Sequence, residues 1–388
     1  MNLRDQRQKE FADKWLETRS GILYLSPRFG KCLCSIKIMR ELGFPKTLII
    51  YPIETIRKSW ENEFSKWEYT ADNIEYCTTA SLWKLAEDPK KYDLIIIDEV
   101  HMLSEANLKQ LAELMTVNKV ILGLSGTISD KTLQELSSIG LNVVAKYDIE
   151  TAIREKVITD YLIRVVYCDL DSRVRFVQPS KKKPNFKVTE AERYDYLTRQ
   201  INEIRAEVKD HNAMVVETGV GSFMNMSAEL GLLPIQRLNL FKKSLGKLNA
   251  TKALLKMAIN QKQRALIFCG TIESADSLDV PVYHSKNKDP EVRDAFCRGE
   301  GDILATVDMF EAGVTVKPIN VAIISSFDSN PETLAQRVSR LTGFEYDNPD
   351  KVAKIYIVCT ENTVEIDWLI KALEFFDVSK IEYVTLKK

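Results

Sequence analysis

The chain has 388 residues, 45% of them hydrophobic, with 54 basic and 55 acidic side chains and a formal net charge of −1. That length and apolar content suit two globular domains with proper cores, and exclude a disordered chain. The near-neutral balance excludes a globally basic nucleic-acid binder, so any contact with DNA or RNA must come from local surface.

Strand-like runs at 22–25, 47–51, 74–78, 93–97 and 119–124 alternate with helix-like stretches. Such βαβ spacing predicts a mainly parallel sheet with helices on both faces. The first run leads into Ser26-Pro27-Arg28-Phe29-Gly30-Lys31-Cys32, followed by a helix-like stretch to about 42. Strand, tight loop, Gly-Lys and helix are the parts of a phosphate cradle. Glycine lets backbone N–H groups approach the phosphates, the helix amino terminus favours anions, and Lys31 would reach the β/γ oxygens. The Walker pattern asks for Ser or Thr at 32, whose hydroxyl helps hold Mg²⁺. Cys32 is a soft ligand there and suits a hard cation poorly. The alternative for Gly30-Lys31 is a plain turn.

The run ending at Ile97 is followed by Asp98-Glu99-Val100-His101. The carboxyl edge of a parallel sheet is where ligands bind. Asp98 is placed to hold a hydrated Mg²⁺ and Glu99 to orient or deprotonate a water, against the alternative of a charged turn. Around 147–160 the pattern loosens, which predicts domains at 1–147 and 148–388.

The segment of about 173–259 reads as mostly helical. It carries Lys181-Lys182-Lys183 before Pro184, a helical stripe of Tyr194, Leu197, Ile201, Ile204 and Val208, and a break at Gly219 and Gly221. It is either a helix packing its apolar face on the second domain or a projection over nucleic acid. A second α/β series follows. Its strands are predicted at 264–269, 281–284, 302–306, 321–325 and 354–359, and its helices at 330–341 and 363–375. Two such domains in tandem predict a ligand cleft between them. Arg337 and Arg340 share one face of the 330–341 helix, as surface ion-pairing groups or as residues reaching across that cleft.

Taken in order, these segments resemble the motifs of superfamily 2 helicases and translocases over nearly the whole chain. Gln8, in Arg7-Gln8-Lys9-Glu10-Phe11, resembles the adenine-reading glutamine, with Gln6 competing. Pro27 to Cys32 resembles motif I in a short form associated with phage and restriction-type helicases. The 48–52 run with Trp60 and Phe64 resembles motif Ia, and Thr78-Thr79-Ala80-Ser81-Leu82 the next nucleic-acid motif. Asp98 to His101 resembles a DExH box, in which His101 couples to motif III; its alternative is a packed core histidine. Leu124-Ser125-Gly126-Thr127 resembles motif III, with glycine where alanine is usual.

In the second half, 265–270 resembles motif IV. His284, Arg293, Phe296, Gly299, 303–306 and Gly313 resemble the stretch ending in motif V, and Gln336-Arg337-Val338-Ser339-Arg340 motif VI. Arg237, Ser244 and Lys247 resemble the start of the second domain in compact DNA translocases. Departures are Cys32, Thr315 where many relatives are acidic, and Gly343 where motif VI commonly has a further arginine.

The resemblance implies two tandem RecA-like domains with a helical insertion at the start of the second, using ATP and Mg²⁺. Lys31, Asp98, Glu99, Gln336, Arg337 and Arg340 would be catalytic, Asp98 holding the metal. Gln8, Pro27, Arg28, Phe29, Gly30, Lys31, Cys32 and Gly313 would bind nucleotide, and Pro52, Thr79, Ser81, Gly270 and Thr306 nucleic acid. The implied track is duplex, forked or branched DNA rather than RNA. The alternatives are a nucleic-acid-binding module with a decayed ATPase, and a duplex translocase that does not unwind. The seven cysteines follow no zinc or disulfide spacing, the first residues are charged, and no apolar run spans a bilayer. A cytoplasmic protein, not membrane-bound and most simply monomeric, is therefore expected.

Overall fold

The computed structural model describes residues 2–87, 91–117, 120–175, 177–178, 186–218, 224–307, 316–339, 341–343, 348 and 350–385, with backbone alone at 84–87, 209–218 and 224–230. The predicted loop at Lys181–Lys183, the break at Gly219 and Gly221, and Gly313, Thr315 and Arg340 lie outside the described residues.

Six strands form the first sheet: β1 (Ser20–Leu25), β2 (Thr47–Tyr51), β3 (Ile74–Thr78), β4 (Leu94–Ile97), β5 (Ile121–Ser125) and β6 (Val143–Tyr147). Their order is β3-β2-β4-β5-β1-β6, and every pairing is parallel. The central strands are continuous apolar runs because helices cover both faces. The helices are α1 (Leu3–Thr18), α2 (Lys31–Glu41), α3 (Glu54–Lys66), α4 (Glu105–Val117) and α5 (Asp130–Ser138), with α6 (Ile149–Arg154) leading out. One face packs Leu23, Ile49 and Ile96 against Trp15, Ile36 and Trp60; the other packs Ile22, Ile95 and Ile97 against Leu108, Leu111 and Leu136.

The second sheet is also parallel, in the order β13-β7-β12-β11-β8-β10-β9. Its strands are β7 (Asp160–Cys168), β8 (Ala265–Phe268), β9 (Val282–Tyr283), β10 (Ile303–Thr306), β11 (Val321–Ile324), β12 (Val352–Thr360) and β13 (Ile381–Thr385). Between β7 and β8 run α7 (Glu190–Thr218), α8 (Met224–Lys242) and α9 (Leu245–Asn260); α10 (Ile272–Asp276), α11 (Pro290–Arg298), α12 (Pro331–Ser339) and α13 (Glu365–Ala372) complete the layers.

The stripe read from the sequence is the inner face of α7: Leu197, Ile201 and Ile204 are buried, and Tyr194 packs its ring on Phe241 of α8. That is the packing alternative for this helix. Helix α9 seats Ala250, Leu254, Leu255 and Ala258 on the second sheet, so the end of the helical segment is a layer of that domain. Among the described residues, no helix is long and apolar enough to cross a membrane.

The two sheets are joined through α6 and β7, and the joint is hydrogen-bonded. Thr159 donates its N–H to the Thr342 carbonyl at 3.0 Å and its hydroxyl to the Gly343 carbonyl at 2.8 Å. Arg4 of α1 donates to the Val157 carbonyl at 2.7 Å.

Candidate active site and nucleic-acid face

Apart from Gln8, and from Trp60 and Phe64 within α3, the first-domain motifs converge on the carboxyl ends of parallel strands, where the strands stop and helix amino termini begin. The loop after β1 carries Pro27 to Gly30. Phe29 anchors it, fully buried and packed on Phe11 and Tyr147 with ring centroids 5.7 and 4.8 Å away. Gly30 takes φ +100°, a conformation glycine adopts without strain, and a Cβ there would lie 2.6 Å from Gln8 Nε2. As the N-cap of α2 it supplies no side-chain cap, so the first N–H groups of that helix stay open to an anion. The buried Ser26 hydroxyl at the loop's base finds no protein partner. An uncapped helix start, a lysine and an orphaned hydroxyl in one loop fit a phosphate group.

Lys31 Nζ lies 2.9 Å from Glu99 Oε1. Burial opposes the Lys31 charge, but Glu99 and then Asp98 outweigh it and raise the lysine above its usual value. Asp98 is 6% exposed. Burial first, and the Glu99 charge second, push its carboxyl up to about 6, with Lys31 and a Trp60 hydrogen bond pulling back. Its Oδ2 accepts from Trp60 Nε1 at 2.8 Å and its Oδ1 from the Glu99 N–H at 2.9 Å. Glu99 itself holds φ +49°, an uncommon left-handed position for a non-glycine residue that turns the chain sharply after β4. Asp98 suits a hard cation, whereas Cys32 does not. The Cys32 thiol is raised well above its ordinary range by burial and then by Asp98 and Glu63, so it stays protonated. A magnesium ion would rest on Asp98, phosphate oxygens and water.

His101 is buried, and its Nδ1 lies 2.7 Å from Ser125 Oγ. Ser125 Oγ donates to the Thr127 carbonyl at 2.7 Å, which leaves it to accept from the imidazole and assigns the proton to Nδ1. His101 Nδ1 is also 3.5 Å from Glu99 Oε2, so Lys31, Glu99, His101, Ser125 and Thr127 form one polar line from β1 to β5. Burial lowers the imidazole to about 4 against an ordinary 6.5. In a ligand-free NMR titration the His101 ring is expected to stay neutral at every pH above about 5. Its stabilising contribution is complete above 6.5 and declines as the pH falls towards 4, because the unfolded chain binds the proton first. A ring that titrates near 6.5 would contradict this environment.

Gly126 allows the Ser125–Thr127 corner to close on the phosphate loop. A Cβ there would sit 3.0 Å from the Pro27 Cγ.

Helix α12 of the second domain lies against these loops. Arg28, in the phosphate loop at φ +68°, donates Nε to the Ser339 carbonyl at 3.2 Å. At the other end of α12, the Glu332 carboxyl is raised by burial and, more weakly, by Glu99, with the Ser129 backbone pulling it back. Arg337 is buried, donates to the Ser326 carbonyl at 2.6 Å and lies over the Phe268 ring at 5.3 Å. Gln336 is partly exposed on the same helix. A Cβ built on Gly343 would meet no described atom within 4 Å, so a side chain at that position would have room.

Gln8 is 1% exposed, donating to the Phe29 carbonyl at 2.9 Å and accepting from Lys37 Nζ at 3.1 Å. It braces the phosphate loop from behind, while Gln6 is exposed. The residues expected to meet nucleic acid end four strands: Pro52 after β2, Thr79 and Ser81 after β3, Gly270 after β8 and Thr306 closing β10. Pro52, Thr79, Ser81 and Gly270 are partly exposed, but Thr306 is fully buried, its hydroxyl without a protein partner. At Gly270 a Cβ would meet the Lys242 carbonyl at 2.9 Å, so close backbone approach already accounts for that glycine. Arg28–Ser339 and Glu332–Ser129 were not foreseen from the sequence. An acidic first turn in a Pro331-led helix reads only as a favourable helix start.

Two stacked parallel-sheet domains, a phosphate loop, an acidic pair and a bridging helix define an ATP-dependent enzyme of the helicase and translocase class. Family comparison gives the same result: residues 246–342 match the helicase conserved C-terminal domain, and residues 73–130 match the type III restriction enzyme res subunit. Both matches support a superfamily 2 helicase. The chain is 23% identical to the DNA 3'-5' translocase XPB2 of Sulfurisphaera tokodaii, over 94% of this chain and 83% of that protein. Its fold is similar to the Hef helicase domain of Pyrococcus furiosus (TM-score 0.54, 11% identity, 96% of this chain and 100% of that one). It is also similar to a putative HsdR subunit of a type I restriction enzyme from Vibrio vulnificus (TM-score 0.60, 14% identity, 97% of this chain and 68% of that one).

Proposed function

We propose that this ATP-dependent DNA helicase or translocase hydrolyses Mg·ATP at the Lys31–Asp98–Glu99 edge and moves along duplex or branched DNA. The observation that carries the reading is the 2.9 Å Lys31–Glu99 pair beneath a helix of the other domain. Phosphates entering the Gly30 loop would draw Lys31 away from Glu99, leaving that carboxylate free to take a proton from water. Asp98 would hold Mg²⁺, which would supply charge neutralisation for the phosphates. Arg337 and Arg340, on or next to α12, are the candidates for stabilising charge on the transferring group, with Gln336 beside them and Gly313 contributing from motif V. Arg337 would first have to leave Ser326 and Phe268. Gln8 would read adenine only after exchanging its present partners.

DNA is supported as the track by the translocase relative; duplex or branched DNA rests on the motif resemblance rather than on any base-reading feature. The test is ATP hydrolysis with no nucleic acid, single-stranded, duplex and forked DNA, and RNA. Stimulation greatest with duplex or forked DNA is expected; stimulation by RNA alone would overturn the assignment. A translocase that moves without separating strands is the second reading, favoured by the same relative. Strand displacement measured beside triplex displacement separates the two.

Cys32 leads to a further expectation. Replacing it by Thr should lower the Mg²⁺ concentration for half-maximal hydrolysis about ten-fold, because a hard oxygen ligand replaces a protonated thiol. An unchanged Mg²⁺ dependence would show that residue 32 does not face the cation.

A further inference from the structure

Helix α3 begins immediately after Pro52 and Ile53, the segment assigned above to the nucleic-acid face, and Ile53 is 43% exposed there. Ile53 is its N-cap and offers no side-chain cap, so first-turn N–H groups remain available to a phosphate. The helix packs Ile56, Trp60 and Phe64 into the core of the first sheet, so it moves as one body. From the same helix Trp60, itself fully buried, donates its indole N–H to Asp98 Oδ2 at 2.8 Å. Three residues on, Glu63 acts through its charge on the Cys32 thiol. Of the two donors that orient Asp98, the Glu99 N–H belongs to its own loop; Trp60 belongs to an element that starts at the track.

We propose that Trp60 is a positioning residue that couples occupancy of the nucleic-acid face to the carboxylate of Asp98. A phosphate engaged at the start of α3 shifts that helix as a unit. The indole N–H moves with it and resets the orientation of the Asp98 carboxylate, which raises hydrolysis when the track is filled. Outer hydrogen bonds of this kind commonly change metal affinity by about ten-fold or more. The inference rests on the motor reading given above.

The test uses Trp60→Phe, which removes the N–H and keeps an aromatic ring, beside full-length wild-type protein labelled with 5-fluorotryptophan. The Trp60 ¹⁹F resonance is identified by its disappearance in the variant. It is expected to shift when duplex DNA is added without nucleotide, and again with Mg·ADP. In Trp60→Phe, half-saturation by Mg²⁺ should rise about ten-fold and the ratio of DNA-stimulated to unstimulated hydrolysis should fall at least several-fold. A wild-type stimulation ratio in the variant, or a Trp60 resonance unmoved by DNA, overturns the coupling even if ATP hydrolysis is robust. Wild-type protein that hydrolyses no ATP with any nucleic acid would instead overturn the motor reading. If Trp60→Phe folds poorly, the Trp60 resonance is assigned by replacing the other four tryptophans one at a time, and its shift in wild-type protein decides the proposal.

Discussion

Glu99→Gln is expected to reduce ATP hydrolysis by about 10³-fold or more while leaving nucleotide binding intact or tighter. The two effects separate because Glu99 has two jobs. Its carboxylate is the group positioned to accept a proton from water, and an amide cannot replace it. The same carboxylate holds Lys31 at 2.9 Å, competing with incoming phosphates. The amide keeps the shape but drops the charge, so Lys31 is released towards the Gly30 loop. Asp98, pushed up to about 6 by burial and then by the Glu99 charge, is relieved of the second of these. Lys31→Ala should instead lose binding and hydrolysis together. Phosphate release and titration with a fluorescent nucleotide measure the two quantities separately. A Glu99→Gln protein that keeps more than about a tenth of wild-type hydrolysis would remove Glu99 from the proton-transfer role.

Much of this arrangement was legible in the sequence, and the parts that were not share a physical cause. The inner strands β1, β2, β4, β8, β10 and β11 are apolar runs because both faces are covered, and such runs stand out. By contrast β6 and β13 are edge strands with exposed positions, Val143 and Tyr383 among them, and β7 alternates buried and half-buried residues. Without a continuous apolar run, none of the three was anticipated. Lys31 and the acidic pair were readable because strand-loop-helix order forces them to one sheet edge. The Trp60–Asp98, Arg28–Ser339 and Glu332–Ser129 contacts span 38, 311 and 203 positions, the first two as hydrogen-bond separations and the third by residue number. No local pattern encodes such distances. The buried state of Thr306 and the inward turn of Gln8 are likewise set by tertiary packing.

The second large effect is one of stability. Lys247 and Glu365 form an ion pair with side chains only 2% and 1% exposed. Lys247 sits in the first turn of α9, where a cation meets the positive end of the helix dipole, and the Phe327 ring lies 5.0 Å from its ammonium. Glu365 opens α13 and also accepts the Thr360 N–H at 2.7 Å, tying the end of β12 to both helices. Lys247→Ala strands a buried carboxylate whose remaining partners are neutral, and is expected to destabilise the protein by about 3–5 kcal/mol. Lys247→Met with Glu365→Gln removes both charges while keeping volume and the Thr360 acceptor, and should recover most of that loss. Such recovery is expected because desolvation of two charges offsets much of what their attraction supplies. Thermal unfolding of the two variants beside wild type measures this, with the single variant lower by about 6–20 °C. Equal losses in both variants would mean that packing around the Lys247 stem, and not the buried charge, holds α9 to α13. That outcome would make this joint an apolar seam; recovery would make it a charge-matched corner, dispensable as a pair but not by halves.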